Sequence, residues 1–219
     1  MLTITDRVHY WDHYAAGIAE TDRQTALRQA FGWTQYAGHG PGADLLGKPA
    51  TALELGSGRG NAVAALALTD VDTTGIDLSP TQCETARETW SDIPSAHFHR
   101  ADASAFLTNA EQQWDVIYSI WGALWYADPA VLLPLARRRL SAGGKLVFSH
   151  APPVPGSYGV QGIYGSGLKG RQVWIYRWAY EPETWTDLLY KSGFADVCAR
   201  VEPAPDTDHV GTLIVEAQV

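Results

Sequence analysis

The chain is poor in cysteine, in positive charge and in long apolar runs. Its two cysteines, Cys83 and Cys198, lie far apart with no metal-ligand spacing around them. That argues against a disulfide scaffold or a thiolate metal site and leaves reduced, partly buried thiols as the expectation. No stretch of about 18 uninterrupted apolar residues occurs, so no membrane span is expected. Asp6 and Arg7 stand where a secretory leader would need an apolar core, and the sequence reads as a soluble cytoplasmic protein. Against 24 Asp and Glu there are 16 Lys and Arg, a formal net charge of -8 with a pI near 5.3. Such a field repels phosphate backbones, so no nucleic-acid partner is expected. The local run Arg137-Arg-Arg139 is explained by the carboxyl end of a predicted helix over 130–140, where cations complement the helix dipole. Internal repeats and charge blocks are missing. A cluster of oxygen ligands is missing too: Asp206 and Asp208 sit in a proline-rich turn, and no metal is expected.

What is present is a core. With 219 residues and 46% hydrophobic content, the chain can bury one full α/β unit and reads as a single domain. Residues 1–40 form an N-terminal helical cap, 41–150 a ligand-binding core, 151–181 an insertion, and 182–219 the completion of the sheet. The run Ala52-Leu-Glu-Leu-Gly-Ser-Gly-Arg-Gly60 is a short apolar strand followed by a glycine-rich turn. Asn61 to Leu68 continues at helical spacing, and Val71 to Asp77 supplies the next strand of a βαβ unit. Asp77 falls at that strand's carboxyl end, where a carboxylate can accept both hydroxyls of a ribose. The glycine spacing separates two ligands. A dinucleotide turn reads Gly-x-Gly-x-x-Gly, whereas here the glycines fall at 56, 58 and 60, with Asn61 in the place of the third fingerprint glycine. Glu54 also places a negative charge where a pyrophosphate would lie, which suits a cationic ligand.

At this point the sequence resembles the class I S-adenosylmethionine-dependent methyltransferases. Their first motif, Glu/Asp-x-Gly-x-Gly-x-Gly, is matched by Glu54-Leu-Gly-Ser-Gly-Arg-Gly60, and their second by Gly75-Ile-Asp77, followed by Leu78. Arg100-Ala-Asp102-Ala103 looks like the third motif, which holds adenine. Trp114 to Ser119 is similar to the family's fourth strand, and Leu140 to Phe148 to its following turn and fifth strand. The resemblance implies a doubly wound, seven-stranded, mostly parallel Rossmann-like sheet, its last strand antiparallel and inserted between the fifth and sixth. It implies S-adenosylmethionine as methyl donor and S-adenosylhomocysteine as product. The donor site it assigns comprises Glu54, Gly56, Ser57, Gly58, Gly60, Asp77, Leu78, Asp102 and Ala103, bordered by Ser119 and Trp121.

Residues outside that common core complete the site, Trp11 and Tyr14 as further candidate donor contacts and the later segments as candidate acceptor contacts. Trp11 and Tyr14 share one helical face; in the resembled family a helical segment before the first strand closes over the ligands, and simple packing on the core edge is the alternative. Ala151 to Gly170 holds six glycines and three prolines, a composition that resists regular structure and predicts a loop. Val173 to Tyr180 then alternates, with Trp174, Tyr176, Trp178 and Tyr180 on one side of a strand. The candidate acceptor contacts are Trp125, Tyr158, Tyr164, Trp174, Tyr176, Arg177 and Trp178. His150, at the end of the fifth strand, is the candidate catalytic base for a hydroxyl acceptor. The reading adopted is a small-molecule methyltransferase of biosynthesis acting on oxygen, nitrogen or carbon. A protein side-chain methyltransferase and a non-catalytic donor-binding protein stand as alternatives; a nucleotide-cofactor oxidoreductase is opposed by the glycine spacing. Oligomeric state is not legible.

Overall fold

The computed structural model describes residues 4–164 and 173–219, with side chains from residue 6 onward. Two helices lead in, α1 (Ile4–Ala16) and α2 (Arg23–Arg28), followed by a 3₁₀ turn at Gly42–Leu46. The core runs β1 (Thr51–Leu55), α3 (Asn61–Ala67), β2 (Asp72–Asp77), α4 (Pro80–Thr89), β3 (Ala96–Arg100), α5 (Ala103–Asn109) and β4 (Trp114–Ile120). It continues through α6 (Ala123–Tyr126), α7 (Pro129–Arg139) and β5 (Leu140–His150). The last part holds β6 (Gly159–Tyr164), β7 (Trp174–Ala179), α8 (Pro182–Lys191), β8 (Ala195–Glu202) and β9 (Thr212–Gln218).

Helix starts follow the chemistry of the residues before them. Ser79 accepts from Gln82 N with Pro80 in the first turn of α4, Asp102 accepts from Ala105 N at α5, and Asp128 from Ala130 N at α7. Each satisfies an amide that the helix itself leaves unpaired. The arginines closing α7 act locally: Arg137 Nε donates to the Gly193 carbonyl at 2.6 Å and Arg139 Nε to Leu107 at 2.8 Å.

Seven strands form the main sheet in the order β3-β2-β1-β4-β5-β9-β8 among the described residues. The first five are parallel; β9 is antiparallel to both β5 and β8, as the resemblance implies. Alternation sorts the side chains of β1 onto two helical layers. Leu53 and Leu55 join a cluster with Leu107 of α5, Leu132 of α7 and Trp185 of α8. Ala52 joins the opposite layer with Trp33, Leu66 of α3 and Tyr118. Trp33, Trp90, Trp114 and Trp185 are fully buried. Each such ring removes roughly 150–250 Å² from water, so the core leans on tryptophan. Among the described residues, no helix is long and apolar enough to cross a membrane, and no group of three His, Cys, Asp or Glu could hold a metal ion.

The segment after β5 departs from expectation. Gly159–Tyr164, predicted as loop, is strand β6, and it pairs antiparallel with β7 in a separate two-stranded ribbon. Residues 165–170 of the predicted loop lie outside the described residues. Cross-strand pairing supplies what composition does not: Tyr164 meets Trp174 with ring centroids 4.1 Å apart, a contact invisible in local sequence. The aromatic face of β7 is also divided. Trp174 and Tyr176 are exposed, whereas Trp178 and Tyr180 pack against the main core. Two short helices, α5 and α6, were not anticipated.

Gly60 caps α3 with φ +74°, and a Cβ there would stand 2.2 Å from the Phe98 ring. Its role is helix-to-strand packing. Gly60→Ala is expected to destabilise the fold by about 1–3 kcal/mol through overpacking and backbone strain, measured as a lower urea midpoint with an unchanged m-value.

Candidate functional site

The strand order reverses between β1 and β4, so their following segments leave in opposite directions and open a crevice at the carboxyl edge of the sheet. A cavity of about 680 Å³ occupies that crevice, within the range of roughly 300–1,000 Å³ typical of small-molecule sites. Its floor comes from the strand ends: Gly56 and Gly58 after β1, Asp77 and Leu78 after β2, Asp102 and Ala103 after β3, Trp121 to Ala123 after β4. Its walls come from Arg7, Trp11 and Tyr14 of α1, Tyr126 of α6, and Ile175, Tyr176 and Trp178 of the β7 ribbon.

Close backbone approach builds the floor. Gly56 has φ +83°, and a Cβ on it would lie 2.8 Å from Ala123 N. The turn after β1 therefore rests directly on the segment after β4, which only glycine permits. Trp121 takes an unusual left-handed conformation for a bulky residue, φ +52°, and is pinned on both sides: its amide donates to the Ser149 carbonyl at 2.9 Å and its indole Nε1 to the Trp33 carbonyl at 3.0 Å. Surroundings that over-determine a strained residue in this way cluster at functional sites.

Three carboxylates have distinct environments. Asp77 accepts from Gly58 N through Oδ2 and from Ser79 N through Oδ1, both at 2.9 Å. Burial pushes its carboxyl above the usual range, with those amide bonds pulling the other way. Each oxygen keeps acceptor capacity for a further donor, so the group suits a vicinal diol. Asp102 accepts from Ala105 N at 3.1 Å and forms an ion pair with Arg7 at 3.0 Å. Glu54 is fully buried beside Tyr118, and its Oε2 has no partner among the described residues. Burial first and Asp77 second hold its carboxyl well above the ordinary range, against the pull of the Tyr118 hydroxyl.

Helix α1 and the turn after it are fastened to three of the loops that make the floor. Arg7 reaches Asp102 after β3. Asp12 accepts from Ser79 Oγ at 2.7 Å and from Thr81 N at 3.0 Å, beyond β2. Arg59, in the glycine-rich turn after β1, donates to the Ile18 and Ala19 carbonyls, each at 2.9 Å. Trp11 sets its ring edge-on to Tyr126, 4.7 Å between centroids.

A family model described as a methyltransferase domain matches residues 53–148. Residues 53–148 are thus similar to a methyltransferase domain, and the strand order around them is that of the class I methyltransferase fold. A trans-aconitate 2-methyltransferase of Methylobacterium radiotolerans is 35% identical over 113 residues, 48% of this chain. The match spans only 42% of that relative's length. Among solved structures, the 1,6-didemethyltoxoflavin-N1-methyltransferase of Burkholderia thailandensis, with bound 1,6-didemethyltoxoflavin and S-adenosylhomocysteine, superposes with a TM-score of 0.63 at 21% identity, covering 98% of this chain and 86% of that one. DhpI in its complex with SAM and HEP superposes at 0.66 with 16% identity, covering 99% and 97%. At these identities the likeness is one of fold.

Within residues 53–148 the structure brings Gly56, Gly58, Asp77, Leu78, Asp102, Ala103 and Trp121 to one cavity, and adds Trp11, Tyr14, Tyr176 and Trp178 from outside them. Other sequence-derived candidates stand elsewhere. Glu54, Ser57 and Gly60 do not line the cavity; Ser119 Oγ is buried, donating to the Leu55 carbonyl at 2.7 Å and accepting from Leu124 N. Tyr158, Tyr164 and Trp174 lie on the exposed ribbon. Trp125 sits behind the wall with Arg177 over its ring at 5.4 Å, and Arg177 Nε donates to Gln161 Oε1 at 2.9 Å. Arg7, Tyr126 and Ile175 escaped the sequence reading. Arg7 had a signal: it precedes Trp11 by four and Tyr14 by seven positions, the spacing of one helical face.

His150 also departs from expectation. It is wholly buried and outside the cavity lining, stacked on Trp125 at 5.4 Å and flanked by Phe148 and Trp185. Nδ1 lies 2.8 Å from the Ala151 carbonyl and so carries the proton of the neutral ring, while Nε2 has no partner among the described residues. Burial pushes its pKa down to about 4, far from the near-neutral value that general base catalysis favours. Because the unfolded chain binds this proton below about pH 6.5 and the folded chain only near 4, His150 lowers stability as pH falls through that window. In His150→Phe, the loss of stability between pH 6.5 and 4 should therefore be shallower than in wild type, by up to about 1.4 kcal/mol per pH unit, measured by urea unfolding at matched pH values.

Proposed function

We propose that the protein transfers the methyl group of S-adenosylmethionine to a small molecule by in-line displacement. The observation that carries this reading is the convergence of Asp77 and Asp102, at the ends of adjacent strands, on one cavity floored by Gly56 and Gly58. The donor set fits the group. A twice-amide-bonded carboxylate suits the ribose hydroxyls, and Asp102 with the Ala103 segment suits the adenine edge. Ser57, Gly60 and Ser119 support the floor from behind, and the buried carboxyl of Glu54, with one oxygen unpartnered among the described residues, lies behind it. When bound, S-adenosylmethionine supplies a methyl carbon on a positively charged sulfur. The chain's own residues position: Trp121, Trp11 and Tyr14 offer ring faces to the cation, and α1 excludes water while donor and acceptor are held in line.

A small acceptor is supported by the size of the site, a cavity of about 680 Å³ bordered by α1 and the β7 ribbon. The names of the compared enzymes, a trans-aconitate 2-methyltransferase and a 1,6-didemethyltoxoflavin-N1-methyltransferase, point the same way. Biosynthesis of a compact metabolite is the setting this supports.

Titration calorimetry with S-adenosylhomocysteine, S-adenosylmethionine and NADH tests the reading: the first two are expected to bind and NADH is not. In Asp77→Ala, affinity for S-adenosylhomocysteine should fall at least about tenfold, the loss of charge-assisted hydrogen bonds worth roughly 1.5–3 kcal/mol. An unchanged affinity in that variant would overturn the site assignment.

A further inference from the structure

The chemistry of the cavity wall narrows the acceptor. We propose, resting on the methyl-transfer reading above, that the acceptor is a planar aromatic heterocycle, uncharged at neutral pH, and that methylation falls on a ring nitrogen.

Three observations converge. The first is the wall itself. Rings from four separate elements border the cavity: Trp11 and Tyr14 of α1, Trp121 after β4, Tyr126 of α6, and Tyr176 and Trp178 of β7. With Trp121, Trp11 and Tyr14 facing the donor cation, Tyr126, Tyr176 and Trp178 are left for the acceptor, and Tyr176 is 45% exposed. Large rings left open at the rim of a concave site are anchors awaiting a partner, and aromatic faces are matched by another flat π-system through offset or edge contacts worth about 0.5–1.5 kcal/mol each beyond area burial.

The second is charge. Among the described residues the lining holds one cation, Arg7, and three carboxylates, Asp77, Asp102 and Asp128. Arg7 is already paired with Asp102 at 3.0 Å, so the lining retains net negative charge. A carboxylate or phosphate acceptor would enter with no free cationic partner among these residues, at a steep desolvation penalty. This sets the cavity apart from one built for a polycarboxylate, even though a trans-aconitate 2-methyltransferase is 35% identical over part of the chain.

The third is proton chemistry. The described lining contains no histidine, lysine or cysteine, and burial raises the Tyr126 hydroxyl well above the ordinary tyrosine range. His150 is sealed behind Trp125. An alcohol would need a base, and the lining offers only carboxylates that are already engaged, Asp77 by two amides, Asp102 by Arg7 and Asp128 by Ala130 N, whereas an aromatic ring nitrogen presents its lone pair at neutral pH without one. In the step, that lone pair forms the new nitrogen–carbon bond as the sulfur–carbon bond breaks, its electron pair going to sulfur. The products are neutral S-adenosylhomocysteine and an N-methylated ring cation; if the nitrogen bore hydrogen, that proton passes to water. Positive charge moves from sulfur to nitrogen without being lost, and a wall of ring faces and carboxylates complements it at both places.

The test uses the full chain saturated with S-adenosylhomocysteine and three probes measured by calorimetry at pH 7.5: isoquinoline, naphthoate of the same size, and trans-aconitate. Isoquinoline is expected to bind at least tenfold more tightly than either anion. Tyr176→Ala, at an exposed position, and Trp178→Leu should each weaken isoquinoline at least threefold while S-adenosylhomocysteine affinity changes less than twofold. Equal or tighter binding of either anion, or isoquinoline affinity that ignores both substitutions or is undetectable, would overturn the acceptor assignment. Failure of S-adenosylhomocysteine itself to bind would instead overturn the methyl-transfer reading.

Discussion

The close seating of the turn after β1 on the segment after β4 is the constraint on which the site depends. With Gly56 too near Ala123 N to carry a side chain, the two loops at the sheet's reversal point share one floor. From that floor the other positions follow. Gly58 is placed to donate to Asp77, Trp121 is forced into a left-handed conformation held by Ser149 and Trp33, and α6 begins where it can present Tyr126 to the cavity. A methyl group at Gly56 would wedge the two loops apart and disturb donor and acceptor sides together. Backbone contact of this kind is less adjustable than side-chain packing, because no rotamer change can relieve it.

The acidic groups show how burial and hydrogen bonding divide labour within a few residues. Asp77 is nearly enclosed yet amply bonded by amides, Asp102 is neutralised by Arg7, and Glu54 is enclosed with one oxygen unpartnered. Burial favours the neutral form of the last of these. The site is thus an electrostatic framework whose most frustrated member lies beneath the donor turn.

Much of the fold was legible because burial of parallel strands leaves strong apolar runs. Leu53, Leu55, Ile117 and Phe148 had no alternative to a core, and Ser79-Pro80 and Asp128-Pro129 announced their helices. Asp77 and Asp102 were legible as cavity residues because their place at strand ends follows from topology. What was hidden depended on partners distant in sequence. Strand β6 alternates half-covered and exposed positions and contains glycines, so only its pairing with β7 defines it. His150 sits at the expected strand end, but the rings of Trp125 and Trp185 that seal it come from α6 and α8. Tyr158, Tyr164 and Trp174 were expected at the acceptor on composition, which does not reveal which face of a ribbon turns outward.

The fastening of α1 has a mechanical consequence. The loops after β1, β2 and β3 meet at the rim of the cavity; Arg59, Asp12 and Arg7 tie all three to a single helical segment. The segment is therefore a brace across the rim, and detaching it relaxes three loops in one event. Its ties are exposed or partly exposed, each of a kind worth about 1 kcal/mol or less, so the brace belongs to the low-energy end of the molecule's sub-global openings while the tryptophan-filled core stays shut. Opening of the rim therefore leaves the packing of the core untouched.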